Sequence, residues 1–157
     1  MLFRSLHPQM LRDALASFAK QDFRYSVHSP SSLDLRDRAN RENHLALARA
    51  TLQFCREAGG RILVIHFEQQ SQDPEDEAAF EDAIRRLSDE AGDVLLGIEN
   101  IEVERVDPVI DCVRRLNRPN VVMTLDVGHA YLASVYFRFD FFEAVRAALP
   151  QIGRAHV

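Results

Sequence analysis

The chain has 157 residues, 46% of them hydrophobic and 27% charged, with a formal net charge of -5. That is enough chain for one domain with a buried core. Its composition excludes a disordered segment, and its acidic balance argues against non-specific attraction to nucleic acid or an anionic membrane. No apolar run approaches the ~20 residues that span a bilayer and no secretory signal is visible, so a soluble, cytoplasmic protein is expected. Lysine occurs once, at Lys20, against abundant arginine, a usage that reflects a GC-rich genome rather than a binding surface. Cys55 and Cys112 lie far apart within helical patterns and are expected as reduced core residues, with no CxxC pair and no disulfide framework.

In chain order, Met10, Leu11, Ala14, Leu15, Phe18 and Ala19 recur at helical spacing behind Pro8, which predicts a helix over 8–20. "FRYSVHSP" reads as a short strand closed by a proline. A long helix is predicted over 41–58, with Leu45, Ala48, Leu52 and Cys55 on one face and "AGG" as its stop. "RILVIHF" is a continuous apolar run, the pattern of a strand covered on both faces. The next helix opens at Asp73-Pro74, a cap followed by a first-turn proline with acids behind it. "VLLGIEN" is a strand, Asp107-Pro108 opens a helix, "NVVMTLDVGHA" is a strand, and a last helix runs over 140–149. Helix and strand alternate throughout, which predicts an α/β fold with a parallel sheet.

The four strands end on His28 ("YSVH"), His66 ("LVIH"), Glu99 ("LGIE") and Asp126 ("MTLD"), at intervals of 38, 33 and 27 residues. Each interval accommodates one βα unit, so side chains scattered in sequence can meet where the carboxyl ends of parallel strands open on one face. Each residue alone has a plainer reading. A histidine at a strand end can simply bond backbone, and Ser26, Ser29 and Ser31 are turn residues. Glu99 carries the most information, because a carboxylate after "VLLGI" is costly to bury without a partner or an ion. His129 follows Asp126 by three residues, and Gly128 between them is expected to let the backbone turn the imidazole back. The mixture of imidazole and carboxylate suits a transition-metal ion better than calcium. No phosphate-cradling glycine loop and no Gly-x-Ser-x-Gly elbow is present.

In "SVHSP", "VIHF", "GIEN" and "LDVGHA", in that order and spacing, the chain resembles the xylose isomerase-like TIM-barrel superfamily, from about Pro8 to Pro150. That group includes sugar phosphate isomerases/epimerases and the endonuclease IV type of apurinic-site nuclease, the AP endonuclease 2 family. In the isomerase branch, the resemblance implies Glu99 and Asp126 as metal ligands, Glu99 and His129 as catalytic groups, and His28, His66 and His129 against the substrate. The implied cofactor is a divalent metal (Mn, Co, Zn or Mg), and the implied partner a small sugar or sugar phosphate, isomerised through an enediolate. In the nuclease branch, His28, His66, Glu99, Asp126 and His129 would all hold a zinc cluster acting on abasic-site DNA. A barrel that binds a ligand without catalysis is the third reading. One departure is local, because "IHFEQQ" stands where the family commonly has Pro-Gly or a nearby glycine.

The resemblance also implies an incomplete parallel (β/α) barrel over 6–151, with about four βα units and without the family's first strand and last three strands. "IGRAHV" back-translates, codon for codon, to a widely used short-read sequencing adapter, and "MLFRS" to its reverse complement. Residues 1–5 and 152–157 are therefore expected to be scars, and His156 an accident rather than a ligand. A contiguous genomic read carrying both ends in frame would overturn that expectation. Such an arc of barrel would leave strand edges open, so the isolated chain is expected to be inactive and to self-associate.

Overall fold

The computed structural model describes residues 25–156, together with Asp13 and Ala16, which are helical. The rest of the helix expected over 8–20, and the segment 1–5, lie outside the described residues. Five strands form one sheet in the order β1-β2-β3-β4-β5: Ser26–His28, Ile62–His66, Leu95–Glu99, Val121–Asp126 and Ile152–His156. Every neighbouring pair is parallel. The helices between them are α1 (Arg41–Glu57), α2 (Pro74–Glu90), α3 (Val106–Leu116), α4 (Val127–Phe137) and α5 (Phe141–Ala148). This is the expected α/β architecture, an arc of a parallel barrel. Among the described residues, no helix is long and apolar enough to cross a membrane.

Side chains alternate along each strand, and the register aligns that alternation across the sheet. Leu63, Ile65, Leu96, Ile98, Val121, Met123 and Leu125 face the helices and join Leu45, Leu52, Phe80, Ile84, Leu87, Val109 and Val113 in one core. The other face carries Val64, His66, Gly97, Glu99, Thr124 and Asp126, as shown by the pairings Val64↔Gly97, His66↔Glu99 and Glu99↔Thr124. The apolar runs are therefore continuous because each strand is covered on one side and lines the barrel interior on the other.

Local chemistry sets the helix starts. Asp73 accepts from the Glu75 backbone N–H at 2.8 Å, Pro74 takes the first helical position, and Glu75, Asp76 and Glu77 meet the positive end of the helix dipole. Two elements depart from the sequence reading. "DVGHA" does not continue β4, because the Asp126 carboxylate accepts from the His129 N–H at 2.8 Å and opens α4 at Val127. That helix escaped notice because apolar residues surround it on all sides ("YLASVYF"), which leaves no helical stripe. The second departure is β5, a fifth strand on the segment set aside above. "IGRAH" has no β-branched run to announce it, and it pairs along the edge of β4.

Gly97 sits where the inner face is tightest. A Cβ there would lie 2.3 Å from Thr124 Oγ1 and 3.2 Å from Ile62 Cγ2. Gly97→Ala is expected to cost about 1–3 kcal/mol through overpacking, measured by urea unfolding, with part of that cost recovered when Thr124→Ala is added.

Both cysteines are free and buried. Desolvation pushes the Cys112 thiol from 9.0 up to about 12, with the Glu81 charge adding to it. Above pH 9 the unfolded chain loses this proton while the folded chain keeps it, so Cys112 lowers stability as pH rises towards 12. An aromatic disulfide reagent at pH 8 should leave Cys112 unmodified until denaturant is added.

Candidate metal centre

The carboxyl ends of β1, β2 and β3 bring His28, His66 and Glu99 together. One ligand atom from each lies within 4.8 Å of the other two. Glu99 is 2% exposed, and its Oε2 is the shared vertex, 2.9 Å from His28 Nε2 and 3.4 Å from His66 Nε2. The two imidazoles meet edge to face with centroids 4.6 Å apart. A further backbone bond locks the strand ends, from the Phe67 N–H to the Glu99 carbonyl at 2.9 Å.

The outer nitrogen of each ring also has an oxygen nearby. His28 Nδ1 lies 2.7 Å from the Ser29 carbonyl, which only accepts, so Nδ1 carries a proton and Nε2 is the nitrogen turned towards Glu99. His66 Nδ1 lies 3.4 Å from Glu68 Oε1. A divalent ion fits this donor set. Two atoms each ~2.1 Å from one ion, at tetrahedral to octahedral angles, stand ~3.0–3.4 Å apart. The two N···O spacings around Glu99, 2.9 and 3.4 Å, match that geometry. A buried carboxylate flanked by two imidazoles is also a donor set that suits a divalent cation.

Asp126 lies on the same face of the sheet but outside this group among the described residues. Glu99 is level with Thr124, so Asp126 stands two residues further along, and its Oδ1 is taken by the α4 cap. His129 rises from the first turn of α4. Its Nδ1 lies 3.1 Å from the Asn100 carbonyl, and its Nε2 lies 3.4 Å from Glu102 Oε2. Gly128 does not reverse the chain, because it lies within α4 and is not among the glycines with positive φ. Its value is spatial, since a Cβ there would approach Asp126 Oδ1 to 3.2 Å.

Asn100 was missed in the sequence reading. It is fully buried, and its carboxamide donates to the Asp126 carbonyl and accepts from the Asp126 N–H, both at 2.9 Å. It thereby ties the end of β3 to the end of β4 and its own carbonyl to His129. The signal was available in "GIEN", where a second polar residue follows the buried glutamate. Arg36, also missed, is buried and has no such signal. It bonds Glu77 through Nε and Nη2 at 2.6 and 3.0 Å, donates to the Phe67 carbonyl, and lies over both the Phe67 and Phe80 rings at 4.6 and 4.4 Å. An open cleft of about 860 Å³ lies along Ser31, Arg36, Arg38, Glu68 and Asp76. It is lined by none of His28, His66 and Glu99 and approaches them only through Glu68.

The family model for the xylose isomerase-like TIM barrel matches residues 3–157. No curated protein sequence matches the chain closely. Among solved structures, a xylose isomerase domain protein from Planctomyces limnophilus superposes with a TM-score of 0.75 at 19% identity, over 96% of this chain and 61% of that one. A D-psicose 3-epimerase solved in the presence of D-fructose gives 0.76 at 20% identity, over 96% and 58%. A xylose isomerase-like TIM-barrel protein from Mycobacterium smegmatis in complex with magnesium gives 0.74 at 17% identity, over 98% and 57%. The chain thus spans about 60% of the length of the structures it matches. With the parallel arc and the order of its strand ends, the family match places the chain in the xylose isomerase-like TIM-barrel family, whose structural neighbours are sugar isomerases and epimerases.

Proposed function

We propose that this chain belongs to a divalent-metal-dependent isomerase or epimerase of sugars or sugar phosphates that works through an enediolate. The observation that carries the reading is the convergence of His28, His66 and Glu99 on one point, with Glu99 Oε2 at 2.9 and 3.4 Å from the two imidazoles. His28, His66 and Glu99 would hold the ion. Asp126, one strand over on the same inner face, would be the second carboxylate of the site, with one oxygen kept by the α4 cap. When bound, the ion supplies Lewis-acid polarisation of adjacent sugar oxygens.

The chain's own groups do the rest. Glu99, held in a water-poor position, is placed to take or return a proton at the carbon beside the carbonyl. His129 donates from Nδ1 to the Asn100 carbonyl, which leaves Nε2, beside Glu102, as the nitrogen turned to a sugar hydroxyl. His28 and His66 form the wall against which the sugar packs. Support for a sugar ligand comes from the epimerase neighbours, one of them solved with D-fructose present, and support for a divalent ion from the magnesium-bound neighbour.

A second reading, a zinc phosphodiesterase for abasic-site DNA, is favoured by one observation: both histidines join the ligand group. Against it stand the net charge of -5 and the pairing of arginines with carboxylates, as in Arg38 with Asp73 and Arg49 with Glu90. The test incubates the metal-loaded protein that carries this chain with ketoses and ketose phosphates in D₂O and, separately, with an abasic-site duplex. Deuterium beside the carbonyl together with epimer formation is the expected result. Strand cleavage without deuterium exchange would establish the second reading, and neither reaction with metal bound would make this a non-catalytic barrel.

A further inference from the structure

Glu68, two residues beyond His66, holds a backbone φ of +57°, the left-handed region that glycine occupies without a side-chain penalty. The residue before it is tightly held. Phe67, fully buried, is pinned at both ends, its N–H on the Glu99 carbonyl at 2.9 Å and its own carbonyl under the Arg36 guanidinium. Its ring packs against the Arg36 guanidinium and edge to face against Phe80. The chain must turn immediately afterwards, at residue 68. A glutamate there is the less stable choice for the backbone, and strain that a fold tolerates beside a group of ligand side chains points to a use for the side chain.

That side chain is placed to act. Glu68 Oε1 lies 3.4 Å from His66 Nδ1, while His66 Nε2 lies 3.4 Å from Glu99 Oε2. A carboxylate on one ring nitrogen fixes the tautomer and the plane of an imidazole and makes the opposite nitrogen the donor. We propose that Glu68 is a positioning residue for His66, holding the proton on Nδ1 so that Nε2 is presented to an ion at Glu99, at the expense of backbone strain that a glycine would relieve. This rests on the metal reading above.

The test uses the protein that carries this chain and its variants Glu68→Gly and Glu68→Gln. Glycine removes both the strain and the carboxylate, whereas glutamine removes the charge and keeps the strain. Metal-free Glu68→Gly should melt about 2–4 °C higher than the parent, and Glu68→Gln should melt within about 1 °C of it. In calorimetric titration with Zn²⁺ or Mn²⁺, both variants should bind about 10–100-fold more weakly. A side chain that merely supports the loop would lower stability and affinity together, so a rise in one with a fall in the other is the distinguishing result. Parental affinity in both variants, or a joint loss of stability and affinity in Glu68→Gly, would overturn the proposal. Should the parent bind no ion, the metal reading fails and Glu68 is judged on the ring itself. ¹⁵N spectra of His66 in the metal-free chain should show the Nδ1–H tautomer in the parent and a shift towards Nε2–H in both variants, and unchanged spectra would refute the proposal.

Discussion

Glu99→Gln should reduce affinity for Zn²⁺ or Mn²⁺ by more than about 100-fold while leaving the fold intact, as measured by calorimetric titration and thermal melts. The carboxylate is the vertex of the proposed centre, with one oxygen 2.9 and 3.4 Å from the two imidazole nitrogens. A carboxamide of the same shape offers a neutral oxygen, which is a poor ligand for a divalent ion, and turns an amide group towards one of the rings. The fold survives because Glu99 is 2% exposed and its charge carries a desolvation cost that the amide does not. Asp126→Asn is the companion variant. Asparagine caps a helix as well as aspartate does, so α4 is kept, and any fall in affinity, expected at about 10-fold, reads Asp126's share in the ion alone. Parental affinity in Glu99→Gln would end the assignment of a metal to this position.

Arg36→Met should be the most destabilising single change away from the metal centre, by about 3–5 kcal/mol in chemical denaturation. The guanidinium is buried beside Glu77, whose side chain is 15% exposed, and it also serves the Phe67 carbonyl. Methionine fills much of the volume over Phe67 and Phe80 but leaves a largely buried carboxylate and a backbone carbonyl without their donor. Pairing the change with Glu77→Leu removes the orphaned charge and should recover more than half of the loss, which a simple packing defect would not allow. Because Arg36 grips the segment directly after His66, Arg36→Met should also weaken metal binding. An exposed ion pair would be worth no more than about 1 kcal/mol, and a loss of that size would refute the buried role.

The frame of the protein was legible because it is written in local patterns. The helices at 41–57 and 74–90 declare themselves by a buried stripe and by the Asp73-Pro74 start, and β2, β3 and β4 by uninterrupted apolar runs. Strict alternation then requires parallel strands, and parallel strands with polar last residues bring those residues to one face. His28, His66, Glu99 and Asp126 could be expected on one face for that reason alone, and the first three meet there. The helix at 127–137 was illegible because its apolar residues point in every direction, and Tyr131, Leu132, Val135 and Tyr136 are exposed where a stripe rule would bury them.

Register and side-chain reach decided the rest, and neither is encoded in any short segment. Glu99 is level with His66 and with Thr124, which places Asp126 one pleat beyond the group and frees its carboxylate to start a helix. Asn100 acts only because β3 and β4 end side by side, and Arg36 only because a loop after β1 folds under the rings of Phe67 and Phe80. The sequence by itself determined which strand ends carry donors and that they share a face, since a period of two residues and parallel pairing suffice for that. Which donors touch, which ring nitrogen points inward and which polar residues hold them there was decided by the tertiary structure, because those contacts join segments more than 25 residues apart, such as Asn100 with Asp126 and His28 with Glu99.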